Sequence, residues 1–350
     1  MLSAGHRLGA PLPQRIAVLR ALQLGDLLCA TPALRALRSA LPRAEITLVG
    51  LPWARTLRQR FAHIIDDFVA LPGYPGLPEM PADRHAIPKF LAEMRRREFD
   101  LAIQLHGSGE ITNPLLVLFG ARVNTGFYPA GSDCPDPERF LPWPRDLPEI
   151  RRYLALMEFL GVPLAGAELE FPLGPEDYAA LPAATRGLRQ GEYVCVHPGA
   201  RLASRRWGIT RFARVADALA SQGLRIVLTG CMEEARLTRA VAAAMRKPSL
   251  DLAGGTSLGA VAVLLSRARL LVCNDTGVSH IAAALKLPSV VVCCGSDPAR
   301  WAPLNRKLHR IVYHPIECRP CAHTDCPIGH PCASRIRVEM VIDQAMALIE

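Results

Sequence analysis

Short apolar runs of strand type alternate with stretches of helical period, first between positions 15 and 50 and again from 193 to 294, and this rhythm limits the fold more than any other feature. Ile16–Leu19 reads as a strand, a turn follows through Gly25, and Leu27, Leu28, Leu34, Leu37 and Leu41 recur at helical spacing before a second strand at Ile46–Val49. Such a βαβ unit joins parallel strands by a right-handed crossover. Pro32 falls inside the helix, where it should bend the helix or make its start irregular. Leu101–Leu105 reads as a further strand ending in the polar loop His106–Glu110. The proline-rich stretch from Pro129 to Pro148 reads as a long surface loop, and the Arg151–Leu160 segment as a helix.

The second half repeats the pattern. Strands are expected at Tyr193–Val196, Arg225–Thr229, Leu270–Cys273 and Ser289–Cys294. Helices are expected around Phe212–Leu219, ended by Gly223, then Glu233–Met245, Leu258–Leu265 and Ser279–Leu285. Alternation in both halves predicts two doubly wound α/β domains. A chain of 350 residues exceeds one ordinary core and suits two. The expected linker lies within the Gly-, Pro- and Ala-rich stretch Gly161–Gly191. The divisions are residues 1–14, a flexible N-terminal extension; 15–175, an N-terminal Rossmann-like domain; and 190–350, a C-terminal one with a Cys-rich tail (318–332) and a terminal helix.

Composition then narrows the function classes. Half the residues are apolar and 21% are charged, as in folded globular proteins, and the net charge of +9 favours anionic partners. The longest apolar candidate, Ile281–Cys294, is interrupted by Lys286 and Pro288 and falls short of the ~18 residues of a spanning helix. The segment Met1–Gln14 has no apolar core of a signal peptide. Eleven cysteines, several inside apolar runs, fit buried thiols in a reducing compartment. The expectation is a cytoplasmic protein with peripheral membrane contact at most. A nucleic-acid binder would interleave aromatics with its basic residues; Arg95–Arg97 lacks them and reads as a solvated helix face.

Ligands of doubly wound sheets bind outside the carboxyl ends of the strands, and three polar loops fall there. In Gln23–Asp26, Gly25 permits close backbone approach and Asp26 sets a carboxylate at a helix start; an ordinary helix cap contributing roughly 1 kcal/mol explains the same residue. In His197–Trp207, Arg201, Arg205 and Arg206 could hold a diphosphate bidentately, or form a solvated basic loop with Trp207 packed inward. In Asn274–His280, the Thr276 hydroxyl and the backbone N–H groups from Gly277 would meet a pyrophosphate at a helix N-terminus, with His280 one turn on. Asp275 as a cap and His280 as a structural histidine are the plain alternatives.

Together these loops resemble glycosyltransferase family 9, the ADP-heptose:lipopolysaccharide heptosyltransferases. The similarity runs from Arg15 onward through Leu24-Gly-Asp26 with Ala30–Arg35, His197-Pro-Gly with Arg206-Trp207, Leu228-Thr-Gly230 with Glu233-Glu234, Asn274-Asp-Thr-Gly277 with His280, and Gly295–Pro298 with Trp301–Pro303. The resemblance implies a GT-B fold, two Rossmann-like doubly wound domains facing each other across a cleft. It also implies an ADP-heptose donor, inversion at the anomeric carbon, no cofactor and no obligatory metal. It assigns Asp26, beside Gly25 in the acceptor-side loop, as general base. Arg205 stands where the family usually has a diphosphate-contacting lysine. Glu233 or Glu234 would bind the donor's ribose, and Asp275, Thr276, Gly277 and His280 match the donor loop.

The implied partners are a nucleotide sugar, an anionic lipid-linked glycan acceptor and the anionic cytoplasmic face of the inner membrane, approached by a monomer. The alternatives are transfer of another nucleotide sugar to a surface glycan, or a non-catalytic nucleotide-sugar-binding module. A mere binder has no use for a base, which speaks against the latter. Finally, Cys318, Cys321, Cys326 and Cys332 with His323 and His330 resemble a metal knuckle. Their irregular spacing favours plain thiols or an adventitious disulfide over structural zinc.

Overall fold

The computed structural model describes Leu2, residues 5–321 and residues 323–350. The chain divides into two compact units that meet in sequence at Leu169 and Glu170.

The first unit runs β1 (Arg15–Leu19), α1 (Leu24–Ala40), β2 (Glu45–Gly50), β3 (Asp67–Ala70), α2 (Ala86–Arg96), β4 (Leu101–Gln104), α3 (Thr112–Val117), β5 (Val123–Tyr128), β6 (Phe140–Pro142) and α4 (Glu149–Phe159). The six strands form one parallel sheet in the order β3-β2-β1-β4-β5-β6, with Ile16 opposite both Ile46 and Leu101. Ile16, Ala17, Val18 and Leu19 are all fully buried, as a central strand covered on both faces requires. One face packs under Phe90 and Met94 of α2 and under Leu115 and Leu116 of α3. Phe90 also meets Phe119 edge-to-face at 5.8 Å.

α1 passes through Pro32 without a break. Proline there cannot donate to the Leu28 carbonyl, and the hydroxyl of Thr31 does so instead at 2.8 Å. The expected irregular start is therefore not seen. The loop expected between Pro129 and Pro148 contains β6, three residues paired to the sheet edge with Gly126 opposite Phe140. Its Pro142 lies on an edge strand, where a missing N–H is tolerated.

The N-terminal segment also departs from expectation. Met1, Ser3 and Ala4 lie outside the described residues. Residues 7–11, expected as part of a flexible extension, are held by the fold. Leu8 is fully buried, Arg7 N–H donates to the Leu160 carbonyl at 2.9 Å, and Arg122 donates to the carbonyls of Ala10 (3.1 Å) and Pro11 (2.9 Å).

The second unit runs α5 (Pro175–Ala179), β7 (Tyr193–His197), α6 (Ile209–Ala220), β8 (Arg225–Leu228), α7 (Ala235–Ala244), β9 (Ser249–Asp251), α8 (Leu258–Arg267), β10 (Leu270–Asn274), α9 (Gly277–Ala284), β11 (Ser289–Cys293), α10 (Pro298–Trp301), β12 (His309–Tyr313), α11 (Pro331–Ser334) and α12 (Val338–Ile349). Its parallel sheet has the order β12-β11-β10-β7-β8-β9. Numbered from its own first strand, this is the order of the first unit. Val194, Val196, Val272, Val290 and Val292 pack with Phe212, Val215 and Leu219 of α6 and Val338, Val341 and Ala345 of α12. No helix among the described residues is long and apolar enough to cross a membrane.

Candidate functional site

In each sheet the strand order reverses beside the first strand, between β1 and β4 and between β7 and β10. Backbones diverge at such a point and leave a crevice at the strands' carboxyl ends.

At the first crevice, Leu24, Gly25 and Asp26 form the first turn of α1 and Gln23 is its N-cap. Asp26 is thus the third helical residue rather than the cap. One of its oxygens, Oδ2, accepts the Gln23 N–H at 3.2 Å. Its Oδ1 lies 3.5 Å from Nη2 of Arg20, and the side chain keeps 19% exposure. Arg20, one residue past β1, has a completely buried side chain. It spans the crevice, donating to the Leu105 carbonyl beyond β4 at 2.6 Å and to the Asp26 carbonyl at 3.1 and 2.9 Å.

Beneath it, Glu149 of α4 approaches Arg20 at 3.4 Å and Arg152 at 2.8 Å, and accepts the Tyr153 hydroxyl. Burial pulls the Arg20 pKa down, but Tyr153, Asp26 and Glu149 more than offset it, so the guanidinium stays charged. Burial likewise pushes the Tyr153 phenol well above its ordinary value, against the pull of Arg20. The Ala21 N–H donates to His106 Nδ1 at 3.2 Å, which fixes the β4–α3 loop against the β1–α1 loop.

At the second crevice, Asn274 at the end of β10 is fully buried. Its Oδ1 accepts the Trp207 N–H at 3.0 Å and its Nδ2 donates to the Pro198 carbonyl at 2.7 Å, clamping the loop after β7 at both ends. Trp207 packs into the core, 5.2 Å from Phe212, so the structural alternative holds for this residue. Within the loop, Arg206 donates to the Ala200 carbonyl at 2.8 Å. Arg205 differs: its Nε is buried and has no hydrogen-bond partner among the described residues.

Thr276 is the N-cap of α9 and Gly277 its first residue. The Thr276 carbonyl takes the N–H and hydroxyl of Ser279, and no side-chain cap closes the helix end. Asp275 accepts the hydroxyl of Ser296 beyond β11. His280 is the fourth residue of α9 and 4% exposed. Of the two acidic candidates after β8, Glu233 is exposed. Glu234 turns inward to His197 at 3.6 Å and caps the Cys231 N–H at 3.0 Å. A Cβ on Gly199 would stand 2.0 Å from Glu234 Oε1, so glycine is what lets the two loops touch. Burial lowers the His197 pKa and Glu234 opposes it.

The cysteines of the tail are free thiols, and no group of three metal-ligating residues among those described is arranged to hold an ion. His330 is used locally, with its Nε2 2.6 Å from the Ser204 carbonyl. Asp275, Thr276, Gly277, His280, Arg205 and Glu234 all lie on loops or helix starts at the carboxyl edge of the second sheet; Gly25 and Asp26 lie at that edge of the first. Arg20, Glu149, Tyr153 and His106 were not singled out from sequence. A charged residue directly after an apolar strand was the available signal for Arg20.

Residues 87–331 match glycosyltransferase family 9 (heptosyltransferase). The chain is 26% identical over 317 residues to lipopolysaccharide heptosyltransferase 2 of Escherichia coli K12, covering 84% of this chain and 87% of that one. Among solved structures, a family 9 glycosyl transferase from Veillonella parvula superposes with a TM-score of 0.78 at 22% identity, covering 99% of both chains. The E. coli ADP-heptose heptosyltransferase II superposes with a TM-score of 0.71 at 21% identity, covering 96% of this chain and 98% of that one. With its two Rossmann-like parallel sheets the fold is GT-B, and the chain belongs to glycosyltransferase family 9.

Proposed function

We propose that this chain transfers a heptose from ADP-heptose to a sugar hydroxyl of the lipopolysaccharide inner core, with inversion. The guanidinium of Arg205 carries the donor half of this reading: the residue is half-buried and its side chain makes no hydrogen bond or ion pair to any described residue. That leaves its fork free to match phosphate oxygens bidentately. The uncapped start of α9 adds backbone N–H groups and its positive dipole end. Glu234, beside the loop after β7, is the better placed of the two candidates for the ribose.

In the reaction, Asp26 takes the proton of the acceptor hydroxyl as that oxygen bonds to the anomeric carbon. The bond from that carbon to the diphosphate breaks and ADP leaves. Arg205 and the α9 amides stabilise the charge it gains. Partial exposure leaves Asp26 accessible to the acceptor, while Gln23 and Arg20 fix its orientation.

The acceptor is lipid-linked and anionic, and the enzyme works as a monomer at the cytoplasmic face of the inner membrane. Arg95 and Arg96 are exposed for that contact, whereas Arg97 is held by Asp67 at 2.6 Å and Glu93 at 3.0 Å. Flotation with anionic vesicles should occur at low salt and be lost near ~1 M; binding to neutral vesicles would refute an electrostatic attachment. The donor assignment is tested by thermal shift with ADP, UDP, GDP and CDP. ADP alone should raise Tm, by the equivalent of ~2.7 kcal/mol at a hundred times its Kd. A preference for another nucleotide overturns the assignment.

A further inference from the structure

Dinucleotide-binding doubly wound domains hold a ribose hydroxyl with an acidic residue beyond their first βα unit, and Glu234 follows β8, the second strand of its unit. Two loops form a seat for its side chain. Oε2 accepts the Cys231 N–H at 3.0 Å and lies 3.6 Å from Nε2 of His197. Both contacts fall on one oxygen, so Oε1 is the one left to take a hydroxyl, and the side chain keeps 11% exposure.

The seat depends on two bare backbone positions. A Cβ on Gly199 would stand 2.0 Å from Oε1 and 2.2 Å from the carboxyl carbon of Glu234. One on Gly230 would stand 3.2 Å from the Glu234 Cβ and 3.3 Å from Oε2. Neither glycine has a left-handed φ. What glycine supplies at both is room for the carboxylate rather than backbone freedom.

His197 closes the seat with a hydrogen whose position can be assigned. The residue ends β7 and is buried. Its Nδ1 lies 3.1 Å from Oγ1 of Thr229, a fully buried hydroxyl with no other hydrogen-bond partner among the described residues. A buried hydroxyl gives its proton to the acceptor within reach. That acceptor is Nδ1, which puts the ring hydrogen on Nε2, the nitrogen facing Glu234. Burial lowers the His197 pKa and so keeps the ring neutral, with that single N–H. At 3.6 Å the contact is slightly long for a hydrogen bond, as contacts in a binding site often are before a ligand tightens them.

We propose that His197 is a positioning residue. Its Nε2–H, with the Cys231 amide and the bare backbone at Gly199 and Gly230, holds Glu234 so that Oε1 takes a ribose hydroxyl, and the site thereby selects ribonucleotides over their 2′,3′-dideoxy counterparts. The inference rests on the donor reading above and adds to it what holds the carboxylate.

Calorimetry with ADP and 2′,3′-dideoxy-ADP tests this, read as the ratio of the two dissociation constants. The wild type should bind ADP roughly 10-fold more tightly than the dideoxy nucleotide, or better. His197→Asn keeps an acceptor for Thr229 but cannot reach Glu234, and should lower the ratio roughly 3–10-fold. His197→Gln carries an amide N–H near the place of Nε2 and should retain most of it. Gly199→Ala displaces only the far end of the Glu234 side chain, so it tests the seat even where His197→Asn destabilises β7, and it should lower the ratio likewise. A merely structural fault weakens both nucleotides equally and leaves the ratio where it was. An unchanged ratio in His197→Asn or in Gly199→Ala therefore overturns the inference, and so does a loss in His197→Gln equal to that in His197→Asn. A wild type that binds the two nucleotides equally overturns it too and leaves the donor reading standing. A wild type that binds neither overturns the donor reading, and this inference with it.

Discussion

Replacing Arg20 by Met keeps much of the apolar stem and removes the charge at the centre of the first crevice. The wild-type guanidinium donates to two backbone carbonyls, Leu105 and Asp26, and meets two carboxylates, Glu149 at 3.4 Å and Asp26 at 3.5 Å. Removing one member of a buried ion pair typically costs 3–5 kcal/mol, because the other is left uncompensated. Here Glu149 retains Arg152 at 2.8 Å, so the lower end of that range applies, about 3 kcal/mol. For a unit of this size 1 kcal/mol corresponds to ~2–4 °C, which places the expected loss in Tm of the first unit at roughly 6–12 °C.

Arg20→Lys keeps the charge but cannot reach both the Leu105 carbonyl and the carboxylates, and should lose about half as much. Because the chain has two units, one melting curve need not be two-state. Native-state hydrogen exchange at the amides of β1 and β4 is therefore the assay. Loss of protection confined to the first unit and worth about 3 kcal/mol is the expected result. A loss under 1 kcal/mol in Arg20→Met, or one spread equally over β7 and β10, would refute the reasoning.

Asp26→Asn should reduce transfer ~10²–10⁴-fold with ADP affinity unchanged in calorimetry; full activity would reduce Asp26 to a part of the helix start. Arg205→Ala should weaken ADP by ~1.5–3 kcal/mol and His280→Ala should weaken it as well; unchanged affinity in both would misplace the donor site. His309, 2% exposed and bonded to Ser289 Oγ at 2.9 Å, is pushed down to about 4 by burial, with His280 and Arg306 adding to the shift. Its folded pKa lies below the unfolded ~6.5, so the unfolded chain binds more protons between those values and stability falls as pH drops through that window. The loss approaches about 3 kcal/mol. Urea titrations at pH 7 and pH 4.5 should show a smaller difference in His309→Asn than in the wild type, and an equal difference would reject the assignment.

The parts of the fold that were legible in sequence are those where burial on both faces demands an unbroken apolar run: Ile16–Leu19, Tyr193–Val196, Leu270–Cys273. The strands that escaped notice lie toward the sheet edges or carry polar residues. β9 is Ser249–Asp251, β6 ends in Pro142, and β3 and β12 begin with Asp67 and His309. An edge strand has one neighbour and half its surface near solvent, so its composition is not forced. The candidate donor residues were legible because their loops follow β7, β8 and β10 and their motifs stand in the order of the family they resemble. Arg20 and Glu149 were not, because 129 positions separate them and only the folded sheet and α4 bring them together.

The position of α12 has a consequence for synthesis. Val338, Val341 and Ala345 complete the core of the second unit, and the Ile336 carbonyl accepts the indole N–H of Trp207 at 3.3 Å. The sheet that begins at Tyr193 therefore has no full cover until the residues around 338–349 have left the ribosome. At ~5–20 residues per second, the stretch from 193 to 338 takes roughly 7–30 s to make. During that interval the valines of β7, β10 and β11 are exposed to any passing apolar surface, while the first unit, whose strands and α4 are all in place by residue 159, is already free to fold. Nascent-chain crosslinking should accordingly find chaperones on the second half long after they have left the first.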